Sequence, residues 1–573
     1  MAPRKSKAAS AKDTQASRPQ SRPAGPKTLQ LFRQIGTAAI LITLAAITSP
    51  VSRLSLAPVY GSIPSSINHL PAITATFLTG FAVRYFWTRE GPTPTRYLPL
   101  YAACVPLLQY VLFQFSEGLG LVWGPVVTGF LSCHIVTSVT AYAAAASMEG
   151  FSRRAKLGRE AVFLINGILA YALFFFLEKQ IARRLPMIMM AWPHFNPLNM
   201  QAAIALGLVL TLPQTSTLFL VTVLLTNLQA LVSPYGSGPY SSSLLEVSLQ
   251  SQNYTLLARH WSNTGYLSVL ENTAANYRVL RCDHSLLGGE WQLTPQRRQE
   301  GWQVPESIYA VFTMLEAVRL LDVPQQVPDD TASALVIGLG IGTAPKAFIS
   351  HGIDTTIVEL DPLVHDMATR YFALPSNHTA VLKDAIGWVS TQSQIPSKKQ
   401  YDYIIHDVFT GGAEPLPLFT TSFLSQLRSL LTPNGLAAIN YAGDLALPLT
   451  GRVLNTIDRA FDGQCALYRD NPPSPETSKG DEGDFSNLIV FCRNSPGDIS
   501  FRGPTERDFL GSHSRRRYLY PRSDLAVEFP VRSTEAVLEE RDLGSWQNEQ
   551  EESAGRHWGI MRSVLPSRVW ELY

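Results

Sequence analysis

Between residues 34 and 232 the sequence returns again and again to apolar runs of about 17–25 residues, enough for a helix to cross roughly 30 Å of hydrocarbon. The runs fall at 34–52, 70–88, 98–115, 119–147, 160–178 and 202–231, with 119–147 overlong and Pro213 interrupting the last. Soluble helical cores do not repeat such runs. The pattern predicts a membrane bundle of six spans with the lipid bilayer as partner. The charged share of 16% agrees, because soluble chains carry about 25%. Basic residues set the orientation: Arg4, Lys5, Lys7, Lys12, Arg18, Arg22, Lys27 and Arg33 precede the first span, and only Arg53 follows it. That places the N-terminus in the cytosol. Arg89, Arg96, Arg153, Arg154, Lys156 and Arg159 lie in loops expected inside, whereas Lys179, Arg183 and Arg184 fall in a loop expected outside. An even count returns the C-terminal half to the cytosol, where the triplets at Asn253 and Asn377 stay unmodified. Among ionisable residues in the spans His134 stands out, and a helix-to-helix hydrogen bond is its expected role.

The chain of 573 residues divides into a disordered basic tail (1–33), the bundle (34–232), a small β-rich part (240–330), a Rossmann-like domain (331–500) and a C-terminal tail (501–573). The net charge of +2 gives no electrostatic case for nucleic acid. Five dispersed cysteines without a C-x-x-C pair predict buried free thiols in a reducing compartment, with no disulfide and no zinc site. Arg515, Arg516, Arg517 and the acidic stretch 539–552 read as solvated surface or a lipid-facing tail.

Chemistry concentrates in the second half. Ala334–Ile337 reads as a buried strand running into Gly338, Gly340 and Gly342, and a second strand ends at Glu359 about 20 residues later. Glycines allow a tight strand-to-helix turn whose amides approach a ligand, and an acid at that distance accepts bonds from ribose hydroxyls. Dinucleotides and S-adenosylmethionine share this arrangement. The dinucleotide pattern wants a glycine where Thr343 stands. Further on, 381–385 predicts a strand ending in Asp384 and Ala385, suited to an adenine amine, and 401–409 predicts a strand reaching the site at Asp407. Both favour the methionine-derived cofactor.

With these pieces placed, 266–500 resembles the spermidine synthase-like branch of the class I S-adenosylmethionine-dependent methyltransferase superfamily, in its polytopic membrane-fused form. Arg281–Trp291 and His406–Thr410 carry the likeness most directly. The resemblance implies a membrane bundle followed by an α/β Rossmann-like domain, a seven-stranded sheet with a reversed final hairpin (464–468 and 487–491), and pairing of two chains through the transferase half.

Aminopropyltransferases of that branch carry an acid in the glycine turn, a D-x-x-D pair and a Tyr-His-Glu run. Here Ile341 stands in the turn, Asp407 is followed by Thr410, and only Tyr309 remains of the third motif. Cationic polyamines would lose paired carboxylates, and Ile341 would spare the carboxylate of intact S-adenosylmethionine a repulsion. We therefore expect methyl transfer to an amine or hydroxyl, with S-adenosyl-L-methionine bound by Gly338, Gly340, Gly342, Glu359, Asp384 and Ala385. Asp407 is the catalytic candidate, with Tyr309 and, more weakly, Asp283 in the acceptor pocket. His406 should face the other side of the strand. Aminopropyl transfer from decarboxylated S-adenosylmethionine and an inactive cofactor-sensing scaffold are the alternatives.

Overall fold

The computed structural model describes residues 26–86, 94–152, 158–212, 217–409, 412, 414–472, 485–529 and 537–573. The tail before residue 26, the loops holding Arg89 and Arg153–Lys156, Pro213, Thr410 and most of the 471–485 insertion lie outside these residues. The N-terminal half is helical: α1 (Pro26–Tyr60), α2 (His69–Phe86), α3 (Leu98–Phe113), α4 (Ser116–Gly129), α5 (Ile135–Ser152), α6 (Arg159–Ala191), α7 (Pro197–Thr211), α8 (Thr217–Asn227) and α9 (Pro239–Gln250). Small residues set the close approaches. A Cβ on Gly80 of α2 would collide with the Ser138 carbonyl of α5.

Several expectations change here. Three helical runs, Gln30–Tyr60, Ser116–Glu149 and Glu160–Ala191, are long and apolar enough to cross a membrane, and Leu98–Phe113, Pro197–Thr211 and Thr217–Asn227 are shorter apolar helices. The overlong run 119–147 is two helices joined through a π turn at Phe130–His134. The stretch 202–231 is divided between α7 and α8. Lys179, Arg183 and Arg184 lie within α6 rather than in a loop. The buried polar contacts centre on His69, whose Nε2 lies 2.9 Å from Ser49 Oγ, which in turn donates to Glu178 at 3.0 Å. His134 Nε2 has no hydrogen-bond partner among the described residues.

The C-terminal half contains two sheets. β1 (Tyr254–Trp261), β2 (Tyr266–Asn272), β3 (Tyr277–Cys282), β4 (Ser285–Trp291) and β5 (Glu306–Ser307) form an antiparallel sheet in sequential order. Asp283, at φ +48°, and His284 make its β3–β4 turn, so Asp283 is a turn residue and not part of an acceptor pocket. The second sheet contains β6 (Ser333–Ile337), β7 (Asp354–Glu359), β8 (Thr379–Leu382), β9 (Tyr401–His406), β10 (Leu431–Asp444), β11 (Cys465–Arg469), β12 (Phe485–Arg493) and β13 (Ala526–Val527). Its order is β13-β11-β12-β10-β9-β6-β7-β8, parallel from β8 to β10 and antiparallel beyond. This is the Rossmann-like methyltransferase topology with a reversed hairpin at β11 and β12. The order switches direction at β6 and β9, where ligands of such sheets bind.

Cys465 and Cys492 face each other across β11 and β12 and are joined by a disulfide, while Cys104, Cys133 and Cys282 are free thiols. The expectation of five unpaired cysteines is corrected: the hairpin brings together two residues 27 apart in sequence. The argument for a reducing compartment goes with it.

The C-terminal tail is also corrected, because 501–529 and 537–573 pack as structure. Arg515 donates to the buried Glu316 at 2.7 and 3.0 Å, so the basic run is not simply solvated. Helices Gln547–Val564 and Ser567–Glu571 wedge between the bundle and the antiparallel sheet. Trp558 Nε1 donates to the Val59 carbonyl of α1 at 3.1 Å, and Tyr573 Oη to the Ser55 carbonyl at 2.8 Å. At the centre lies the fully buried guanidinium of Arg281. Its Nε donates to the carbonyl of Asp283 (2.7 Å), Nη1 to those of Val569 and Leu572 (2.8 and 2.9 Å), and Nη2 to those of Pro58 and Trp570 (2.6 and 2.9 Å). All five N–H donors are thereby used. Burial lowers its pKa to about 10, which leaves it charged at neutral pH.

Lysine has only three donors, so Arg281→Lys strands at least two buried carbonyls and should cost about 2–4 kcal/mol. The expected result is a lower thermal midpoint, with faster proteolysis near the C-terminus. An unchanged midpoint and digestion pattern would contradict the role assigned to this residue.

Candidate functional site

A cavity of about 680 Å³ opens at the C-terminal ends of the parallel strands. Its floor is the turn after β6. Gly338 and Gly340 have φ of +88° and +55°, and a Cβ on either would collide with a carbonyl oxygen, that of Asp407 or of Leu287. Only glycine fits both the left-handed backbone and the close approach. Gly342, at φ +80°, caps the following helix Thr343–Ser350, packs against Leu374 and does not line the cavity.

Glu359 ends β7 beneath this turn. Its Oε2 accepts from the Leu339 amide at 3.0 Å and Oε1 from that of Asp361 at 2.8 Å, which orients the carboxylate and leaves acceptor capacity for a ligand's hydroxyls. Burial raises its pKa to about 7. Asp384 and Ala385 begin the helix after β8 and line the same wall. The Asp384 carboxylate also caps that helix, accepting from the amides of Ile386 and Gly387 at 3.2 and 3.3 Å.

Asp407 follows β9 at the opposite lip. Its Oδ1 accepts from Asn440 Nδ2 at 3.0 Å, and its enclosed setting raises its pKa to about 6. His406 points into the core against Phe419 and Phe423, as the strand's alternation requires. Tyr309 lines the cavity, and its buried hydroxyl has no partner among the described residues, so it offers a hydrogen bond to whatever enters. It is the N-cap residue of the short helix Ala310–Met314. The structure thus brings Gly338, Gly340, Glu359, Asp384, Ala385, Asp407 and Tyr309 to one space.

Ile341 departs from expectation. It is buried against Gly288 of β4 and does not line this cavity, so it neither adds nor removes charge at the ligand.

Sequence reasoning also missed part of the wall. His557, Ile560, Met561 and Val564 of the C-terminal helix face the cavity, with the rings of His557 and Phe409 4.7 Å apart. Phe485, Asn487 and Asp470 enter from the reversed hairpin. The helical spacing 557, 560, 561, 564 was a signal available in the sequence. Four carboxylate residues line the cavity (Glu359, Asp384, Asp407, Asp470), but among the described residues no lysine or arginine does. A ligand therefore meets an anionic wall whose counter-charge it must bring itself.

The site fits an adenosyl sulfonium: a glycine cradle for backbone approach, a carboxylate placed for ribose hydroxyls, and anionic walls toward a positive sulfur. No protein-family model matches the chain. It is 39% identical over 556 residues to the N-terminal histidine N-methyltransferase of Emericella nidulans, an alignment covering 94% of this chain and 97% of that protein. It is also 32% identical over 108 residues to the polyamine aminopropyltransferase of Vibrio vulnificus, covering 18% of this chain and 36% of that one. Among solved structures, a probable spermidine synthase from Corynebacterium glutamicum aligns with 49% of this chain and 97% of its own at 17% identity and a TM-score of 0.34.

Ribose hydroxyls bond best to ionised Glu359, whose pKa of about 7 makes affinity for S-adenosylhomocysteine rise as pH climbs through neutrality and weaken below it. Glu359→Gln should cut that affinity about tenfold or more and flatten the pH dependence. Calorimetric titration at several pH values checks both. A variant that binds as tightly as the wild type at every pH would remove Glu359 from the site.

Proposed function

We propose a polypeptide acceptor, because the chain belongs to the family of N-terminal histidine N-methyltransferases and is an S-adenosylmethionine-dependent methyltransferase. On this reading the methyl group goes to a nitrogen of an N-terminal histidine. The observation that carries it is the alignment with the relative of that name, which runs almost end to end through both chains.

The cofactor supplies a methyl group on a positively charged sulfur. This chain's residues orient and enclose it: Gly338 and Gly340 by backbone approach, Glu359 at the ribose, Asp384 and Ala385 at the adenine. Asp407 lies across from them. The nucleophile must present a lone pair, and at neutral pH an α-amine (pKa about 7.7–8.0) is mostly protonated whereas imidazole (about 6.5) is mostly not. Anionic walls hold the ammonium charged and leave a ring nitrogen as the attacking group. Asp407 accepts the N–H of the other ring nitrogen, which fixes the ring and stabilises the positive charge that develops on methylation. A carboxyl with pKa of about 6 does this in its ionised form, so turnover falls as pH drops below that value.

The three long apolar helices support a membrane anchorage of the whole chain. Translation begins at methionine, so an N-terminal histidine is created by proteolytic cleavage. The Cys465–Cys492 disulfide suits an oxidising compartment. Together these favour a transferase half on the non-cytosolic side, in place of the cytosolic side implied by an even span count. In membranes extracted with alkaline carbonate, the protein should stay in the pellet and shift in mass on deglycosylation at Asn253 or Asn377. Release into the supernatant would end the membrane reading, and an unshifted mass would return the catalytic half to the cytosol.

Full-length protein in detergent, given S-adenosylmethionine and a synthetic peptide beginning with histidine, should add one methyl group to that residue by fragment mass spectrometry. Asp407→Asn should lower turnover by about 10²-fold or more while still binding S-adenosylhomocysteine. Transfer of an aminopropyl group from the decarboxylated donor, or no product with either donor, would overturn the proposal.

A further inference from the structure

The anionic wall extends beyond the residues assigned so far. Asp470 follows β11 and Asn487 lies near the start of β12, adjacent across the reversed hairpin. The Asp470 amide donates to the Asn487 carbonyl at 3.2 Å, and Asn487 Nδ2 donates to Asp470 Oδ2 at 3.0 Å. Both line the cavity, and Asp470 is only 7% exposed. The Asn487 amide fixes the direction of the carboxylate but brings no charge. The Asn471 side chain and the amides of Asp470 and Asn471 also reach this carboxylate, but all are neutral donors, and no lysine or arginine lines the cavity among the described residues, so its charge has no partner there. Its neighbour Arg469 does not line the cavity. A carboxylate this enclosed is costly unless a cation joins it.

Position in the sheet says what kind of cation fits. From Asp407 beyond β9 to Asp470 beyond β11 the path crosses β10 and β12, three strand spacings or about 14 Å of sheet width. A single amino-acid residue with a nitrogen at each end bridges that gap, because each carboxylate side chain and its hydrogen bond take up several ångströms of it. Aromatic rings flank the path: His557 lies 4.7 Å from Phe409 and 5.9 Å from Phe485, centroid to centroid. A flat imidazole can lodge against such rings.

We propose that Asp470, oriented by Asn487, anchors the α-ammonium group of the acceptor's first residue, and that this contact makes the enzyme selective for a free N-terminus. The inference rests on the N-terminal histidine reading and names the residue that would enforce it. One ring nitrogen then presents its lone pair to the sulfonium and the other its N–H to Asp407, while the ammonium lies at the hairpin. An acetylated terminus, or a histidine within a chain, carries no charge for Asp470 and leaves its carboxylate unpaired.

The test uses the full-length protein in detergent with S-adenosylhomocysteine bound, and two synthetic peptides. One begins with histidine. The other is its desamino analogue, identical but for hydrogen in place of the α-amine. The wild type should bind the first about tenfold or more tighter. Asp470→Asn should bring the two affinities within about twofold of each other, chiefly by weakening the first, and Asn487→Ala should narrow the gap in part. Affinity for S-adenosylhomocysteine, kept within about threefold, shows that each variant is folded. A gap that survives in Asp470→Asn but closes in Asp407→Asn would place the ammonium at Asp407 and overturn the anchor. If the wild type methylates the histidine peptide yet binds both peptides equally, the anchor fails while the reaction stands. If it neither binds nor methylates the histidine peptide, the N-terminal histidine reading itself fails.

Discussion

One guanidinium ties the catalytic half of this protein to its apolar half. Arg281 gives all five of its donors to backbone carbonyls from three places: the end of α1, the β3–β4 turn and the last residues of the chain. No carboxylate accepts from it. The cation is satisfied by oriented peptide dipoles and by the faces of Trp570 and Tyr266, 5.0 and 5.6 Å away. Because the C-terminus is held there, helix Gln547–Val564 runs back along the cavity. One of its faces lines the site while Trp558 and Arg562 reach the bundle, at the Val59 carbonyl and at Ser116 Oγ. The site is therefore completed by the residues that join the two halves.

The distribution of charge within the cavity then governs what enters. Carboxylates stand on both sides, Glu359 and Asp384 on one and Asp407 and Asp470 on the other, without a basic side chain among the described lining residues. A sulfonium and a protonated amine are each favoured by this field. The sequence argument that missing acids disfavour cationic acceptors does not survive, because Asp470 supplies a carboxylate from the hairpin. What separates methyl from aminopropyl transfer is the end-to-end likeness to a methyltransferase, not a shortage of negative charge.

Much of the transferase domain was legible because its signals are local. A strand running into Gly338 and Gly340, an acid after the next strand, and Asp407 at the end of β9 follow from period-2 patterning and turn chemistry. The contribution of 547–573 was not legible. Its helix has a polar exterior, and its value lies in long-range contacts such as Tyr573 to Ser55 and Arg281 to Leu572. The Cys465–Cys492 bond was hidden for a similar reason, since only the hairpin's register puts the two residues opposite one another. Ile341 misled in another way: its position in the glycine turn suggested a ligand contact, but its buried side chain occupies the space that a Cβ on Gly288 would need. In the apolar half, hydropathy located the helices but not their ends, because α6 continues through Lys179, Arg183 and Arg184.

The most direct test of the account is an experimental structure of the full-length protein with S-adenosylhomocysteine. The account predicts the ribose on Glu359, the adenine beside Asp384 and Ala385, the sulfur turned toward Asp407, and helix Gln547–Val564 closing the far wall. A ligand bound elsewhere, or a C-terminal helix standing away from the cavity, would contradict it.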